Sequence, residues 1–185
     1  MPRPDSVSSN KERNDIDLRN PLIAGLLAWL LPGWGHYYQK RYHKAILFFL
    51  CIMPTLIAGC VLASSAEVGY ARNVYWSWRW KSGDLRLWWL AQAPIGVVAI
   101  PSLTQAWQIN SGQAPMLGRF MAPPRLERGD RSGVSPVLSE IRQQIPHYEL
   151  ATYLTALAGL MNLLAIFDAV DGPFYGRRKE EKCEG

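Results

Sequence analysis

The chain lacks the common signatures of catalysis and ligand binding. No glycine-rich phosphate loop runs into Lys-Ser or Lys-Thr, and no His-Glu-x-x-His, Cys-x-x-Cys or Gly-x-Ser-x-Gly occurs. Cysteine is scarce, with only Cys51, Cys60 and Cys183. The odd number, and the absence of any pair at metal-ligand spacing, argue against a disulfide framework or a metal centre. Cys51 and Cys60 read as small apolar side chains within a helix. A long basic run is also missing, so the net charge of +5 does not indicate nucleic acid. Attraction to anionic lipid headgroups accounts for it more simply. These absences lead to a chain read as non-enzymatic, with no cofactor and no metal.

What is present is apolar and arranged in blocks. Mean hydropathy over 185 residues is near neutral, because charges gather between the blocks rather than mixing into them. Residues 1–18 are polar, with Pro2, Pro4 and several serines. They read as a disordered tail rather than a signal peptide, whose apolar stretch would begin sooner. Residues 176–185 read as a second charged tail.

A crossing of the bilayer needs roughly 20 mainly apolar residues. Four blocks without Lys, Arg or Glu qualify: 21–39, 45–66, 87–109 and 150–170, the last interrupted only by Asp168. In lipid an unsatisfied backbone group costs several kcal/mol, so such blocks must be helices. A soluble helix of that length carries a polar stripe, and 45–66 has no charge on any face. The expected fold is therefore all-α, an integral membrane bundle of about four transmembrane helices.

The first block is the least regular. Asn20 before Pro21 suits a helix start. Pro32-Gly33-Trp34-Gly35 then falls in the second half, where proline and glycine stop a helix near Leu31. One alternative is a re-entrant segment, which leaves three spans and puts the termini on opposite sides. With four spans, twelve Lys and Arg lie on the side of the termini and eight on the other. That bias places both termini in the cytoplasm, with the chain multi-pass in the inner membrane.

Between blocks, Trp76, Trp78 and Trp80 alternate with Ser77 and Arg79. The two-residue period suggests an extended piece at the interface, and eight tryptophans in the chain suit an aromatic belt. The connection 110–149 reads first as a proline-rich loop. It then becomes a short interfacial helix with Ser135 as cap, Val137, Leu138, Ile141 and Ile145 on one face, and Pro146 as stop. That face is expected on the membrane surface or against a neighbouring helix.

Candidate residues collect at the first turn, Pro32 to Lys44. Gly33 and Gly35 permit a sharp exit. His36 and Tyr38 follow at interface depth, and Lys40, Arg41 and Lys44 can anchor to phosphate headgroups, as can Trp76, Trp78, Trp80, Arg177 and Arg178. The simple reading of His36 is a turn residue; the sharper one is a ligand or proton carrier. Gln92 and Asn162 lie inside spans, where amides usually bind another helix. Asp168 is ionisable within a span, which marks it as a functional candidate. Its position near the end of the block also allows a plain pairing with Arg177 or Arg178. Ala151, Thr155 and Gly159, at four-residue spacing, predict a close packing face.

The stretch LAWLLPGWGHYYQKRYHKAILF resembles the turn of the TM-two domain, a two-helix membrane module. Together with LAQAPIGVVAIPSLTQ and ELATYLTALAGLMNLLAIFDAVDGP, in that order, it resembles an uncharacterised bacterial family of polytopic membrane proteins. The resemblance implies a membrane protein of bacterial type and no activity. Lys40 stands where the related turns carry glycine, so a looser turn is expected here.

Three functions follow as expectations. The first is a non-enzymatic scaffold or accessory component, with the bilayer, a second copy or another membrane protein as partner. The second is a small oligomeric transporter or channel, which requires Gln92, Asn162 and Asp168 to face one polar cavity. The third is an intramembrane lipid-acting enzyme using His36 with Asp168 or Tyr38. With four full spans His36 and Asp168 would lie roughly 30 Å apart, a bilayer core thickness, and only a re-entrant first segment brings them together.

Overall fold

A computed structural model describes residues 20–79, 84–124 and 138–171. The tails, the cap Ser135 with Pro136 and Val137, Trp80, Arg177 and Arg178 lie outside these residues, as does the side chain of Trp78. The regular elements among the described residues are helices, apart from one antiparallel ladder of two residues per strand, β1 Trp78–Arg79 with β2 Asp84–Leu85, and an isolated bridge between Ser65 and Gly69.

Two helices form the frame. These are α3, Tyr42–Leu62, and α7, Tyr148–Asp171, both long and apolar enough to cross a membrane. They pack antiparallel: Lys44 at the start of α3 reaches Asp168, while Gly59 near its end lies against Ala151 and Thr155. The expected small-residue face is present. Ala151, Thr155 and Gly159 are all buried, the first two against α3 and Gly159 against the Ala91 carbonyl. Ile52, Leu56, Ile95, Ala99, Ala158 and Ala165 fill the centre.

Two of the four expected crossings are not single helices. The first block is a half-length hairpin. Its first arm, α1 Pro21–Leu30, is capped by Asn20 as expected, with the side chain accepting from Leu22 N at 3.1 Å. It stops at Leu31, and Gly33 turns with φ +88° into α2, Trp34–Tyr38. Along α7, α1 runs from Val170 beside Gly25 to Asn162 beside Ala28. The return arm α2 lies on α1 through Gly35, where a Cβ would collide with the Ala24 carbonyl. Ten residues of helix reach about 15 Å, half of what a crossing needs, so this block turns back instead of running the length of the bundle.

The third block folds back as well. It comprises α4 Trp88–Gln92, a 3-10 stretch Ala93–Ala99, and α5 Ile100–Asn110. Gly96 adopts φ +78°, ψ −131° and breaks the helix. Pro94 and Pro101 flank the break, each supplying no backbone donor. The Trp89 indole donates to Ser102 Oγ at 2.8 Å across the two arms, so the arms lie side by side.

The two hairpins enter from opposite ends of the α3–α7 pair and meet tip to tip. The Gly96 backbone packs on the Trp29 carbonyl, where any side chain would collide. Asn162 joins both tips, its amide donating to Ala28 O at 3.2 Å and Pro94 O at 2.7 Å. Because only α3 and α7 run the full length, Asn20 and Asp171 end on one side of the bundle. Among the described residues the two ends thus share a side with two full-length helices rather than four. The short helix α6, Leu138–Gln144, packs its face on a neighbour rather than facing outward: Ile141 and Ile145 join Val68 and Tyr148.

Candidate functional site

The end of the bundle that holds Asn20 and Asp171 carries a polar cluster built around Asp168. Three elements supply it. The first hairpin brings His36 on α2, the tight turn before α3 brings Arg41, and the first turn of α3 brings Lys44. His36 Nε2 lies 2.7 Å from Asp168 Oδ2. Arg41 Nη2 donates to the same oxygen at 2.9 Å. Lys44 Nζ bridges both carboxylate oxygens at 3.0 Å.

The turn that allows this is closed by Lys40 N to Tyr37 O and Arg41 N to His36 O, both at 2.9 Å. Lys40 sits at φ +62°, the left-handed region that glycine takes most readily. The expected loosening does not occur, because Lys40 itself takes the left-handed conformation that the turn requires. The end of α7 is finished by the same segment. Arg41 Nη1 donates to Asp168 O at 3.3 Å and Gln39 Nε2 to Ala169 O at 2.7 Å. Both carbonyls belong to the last turn, which has no intrahelical donors. Arg41 thereby also places a positive charge at the negative end of the helix dipole.

Exposure grades across the cluster. Side-chain exposure is 0% at His36, 11% at Arg41, 24% at Asp168 and 42% at Lys44. The His36 ring tilts against Phe48 at 4.8 Å. Its Nδ1 is buried without a hydrogen-bond partner. A charged imidazolium would leave an N–H donor stranded there, whereas neutral imidazole leaves only a lone pair. His36 lies outside the two long helices, and burial lowers its basicity below the ordinary value of 6.5 against the opposing hydrogen bond to Asp168. The ring is thus a neutral donor through Nε2–H.

The sequence placed His36 and Asp168 a bilayer apart on four spans. The folded-back first block overturns that and joins them directly. It also takes Arg41 and Lys44 away from a pure headgroup role, since both are spent on Asp168. Among the described residues the partners of Asp168 are His36, Arg41 and Lys44; the expected pairing with Arg177 or Arg178 falls outside the described residues. Tyr38 packs with Ala24, Ala28 and Ala169.

Gln92, Asn162 and Asp168 do not share a cavity. Gln92 Nε2 donates to Thr155 Oγ1 at 2.8 Å, and Asn162 binds the two hairpin tips. From Thr155 to Asp168 along α7 is thirteen residues, about 20 Å. Trp76 is half-buried edge-on to Trp89 at 4.7 Å, so it locks a loop to α4 instead of standing free in a belt.

Sequence reasoning missed a second polar cluster at the far end. Arg72 and Asn73 are fully buried. Asn73 Nδ2 donates to Ala151 O at 2.8 Å and Thr155 Oγ1 at 3.0 Å. Arg86 Nη2 reaches Asn73 O at 2.8 Å and its guanidinium lies 4.1 Å over the Tyr75 ring. Arg72 donates to Arg119 O at 3.2 Å, and burial lowers its pKa to about 10. Nothing in a loop of mixed polarity marks these two as interior. Gly96 was legible in principle, since Pro-x-Gly with a second proline five residues on is a breaker pattern. Among the described residues no group of three or more His, Cys, Asp or Glu could hold a metal ion.

The model of a family of unknown function (DUF6677) matches residues 23–182. The chain belongs to this family. The match takes in both hairpins, both long helices and every residue of the Asp168 cluster, so the cluster lies within the family's domain. No curated protein and no solved structure matches the chain.

Proposed function

We propose that this family member is a membrane-embedded, non-enzymatic scaffold in which two helices cross the bilayer and two re-entrant hairpins meet at its middle. Surface composition supports the solvent. Only 22% of the most apolar window of α3 is buried, against what a core helix of a soluble protein needs. Leu150, Tyr153, Leu157, Leu160, Leu164 and Phe167 on α7 are all about half exposed or more, a stripe that water would oppose and acyl chains accept. In the folded-back arrangement the turn at 40–44 joins the side of Asn20 and Asp171, which then carries eleven Lys and Arg against nine on the other; that small excess favours a cytoplasmic position for both termini, and the partners are lipid, a second copy or another membrane protein.

The observation that carries the scaffold reading is that the Asp168 cluster is used to hold the first hairpin. Asp168 Oδ2 accepts from His36, Arg41 and Lys44, and His36 has no exposed surface. These residues fasten the first hairpin to α7 rather than present themselves to a substrate. The test is affinity purification of the full chain from native membranes. A stoichiometric membrane-protein partner retained through washing supports a scaffold. Recovery of the chain in the alkaline carbonate supernatant sinks the membrane reading itself.

A lipid-acting enzyme is the second reading, and the 2.7 Å contact between His36 and Asp168 favours it, since hydrogen-bond reach is what an acid–base pair requires. Purified protein incubated with labelled phospholipid decides it. Turnover abolished by His36→Gln selects the enzyme; no turnover leaves the scaffold.

A further inference from the structure

Beside the Asp168 cluster, the first hairpin and α3 enclose an open groove of about 650 Å³. Its floor is Leu27, Ile46, Phe49 and Leu50, and its rim is Tyr37, Tyr42 and Lys40. The volume falls within the range of small-molecule sites, about 300–1,000 Å³. We propose that this groove seats one acyl chain of an anionic phospholipid whose phosphate is held at Lys40. The proposal rests on the membrane reading above and adds a ligand class to it.

Three observations choose the occupant. First, the groove is apolar along its length and polar only at one end, the pattern of a lipid rather than of a polar solute. Second, its depth fits. Tyr42 to Leu50 along α3 is eight residues, about 12 Å, close to one leaflet of a core about 30 Å thick. Tyr37 and Tyr42, whose rings meet edge-on at 5.2 Å, stand at the level where aromatic residues meet headgroups. Third, the charge at the rim is positive. Arg41 and Lys44 both pair with the single carboxylate of Asp168, whereas Lys40 is exposed and makes no ion pair among the described residues. Its backbone is fixed at φ +62° by the turn and the residue lines the groove, which puts the ammonium within reach of a phosphate at the mouth. A partner helix would fill the floor equally well, but it gives no use for a lone cation at the rim.

The experiment reconstitutes the full chain in nanodiscs of equal phosphatidylglycerol and phosphatidylcholine. The protein is then extracted in mild detergent and the lipid that stays bound is counted by native mass spectrometry. Retained phosphatidylglycerol is expected to exceed phosphatidylcholine by about fivefold, the factor one lysine contributes near an anionic surface. Lys40→Asn keeps a residue that tolerates the left-handed turn and should bring the ratio to about one. Ile46→Trp fills the floor from an exposed position and should lower retention of both lipids. A ratio near one in the native chain, or retention unchanged by both variants, overturns the groove assignment while leaving the membrane reading standing. Should the chain prove soluble without detergent, both fall, and carbonate extraction of cells tells that case apart.

Discussion

The two hairpins solve one problem with different chemistry. Each is too short to hold itself in place, and each must be fastened to α7. The first is tied by charges: Asp168 against Arg41 and Lys44, with neutral His36 beneath. The second is tied by amides: Gln92 and Asn73 on Thr155, with Asn162 joining both tips. The charged tie lies where exposure rises to 42% at Lys44, so water shares the cost of holding ions. The amide ties lie deep, at Gln92 and Asn162, which are at most 1% exposed. There a neutral group costs less to bury than an ion. The chemistry of each tie thus follows depth, not the identity of the hairpin.

Breaking the tip contact tests the shared foundation and carries the largest effect. Gly96→Ala puts a Cβ into the Trp29 carbonyl at a positive φ. Neither hairpin can yield without pulling the other from Asn162. Loss of most folded protein is expected, about 4 kcal/mol or more, read as a collapsed monodisperse peak in detergent chromatography. A normal peak with unchanged thermal midpoint removes the tip-to-tip arrangement.

The charged tie comes next. Asp168→Asn leaves Arg41 and Lys44 facing each other without an anion, and about 3 kcal/mol of stability should be lost. Lys44→Met, at the exposed edge, should cost about 1 kcal/mol or less. The difference between the two, measured by denaturant titration in detergent, reports how far solvent screens the cluster. Equal costs for both would mean that exposure does not grade the tie.

The amide tie should be weaker than the tie through Asp168. Gln92→Leu removes the donor to Thr155 and is expected to cost about 0.6 to 1.7 kcal/mol, the range for interhelical hydrogen bonds in bilayers. A cost above that of Asp168→Asn would reverse the ranking of the two ends.

The smallest effect is pH dependence at the charged end alone. Burial holds the His36 pKa below 6.5, so the folded chain binds that proton less readily than the unfolded one. The stability tied to neutral His36 is complete above pH about 6.5 and declines as pH falls from there toward the lowered folded value. Thermal midpoints between pH 7.5 and 5 should drop more in the native chain than in His36→Gln. Parallel profiles would mean that His36 does not titrate in the fold.

Much of the frame was legible in residue order. The block without charge at 45–66 contains nearly all of α3, and Ala151, Thr155 and Gly159 marked the face of α7 that packs. The stop near Leu31 also followed from Pro32 and Gly33. Each of these is a local matter: hydropathy, proline chemistry and helical spacing act within a few residues. The first and third blocks were read as crossings, the first with a re-entrant alternative, because hydropathy reports what solvent a segment needs, not how far it travels. A half-length hairpin and a full helix of equal apolarity look the same.

By itself, the sequence determined which segments avoid water, where α1 stops and which side of α7 is smooth, since these depend on side-chain size and backbone donors close together in the chain. Only the tertiary structure decided that His36 meets Asp168, that Gly96 meets Trp29, and that Arg72 and Asn73 lie inside. Those pairings span tens to more than a hundred residues. They exist because two hairpins turn back at the middle of the bundle, and no local preference encodes that depth.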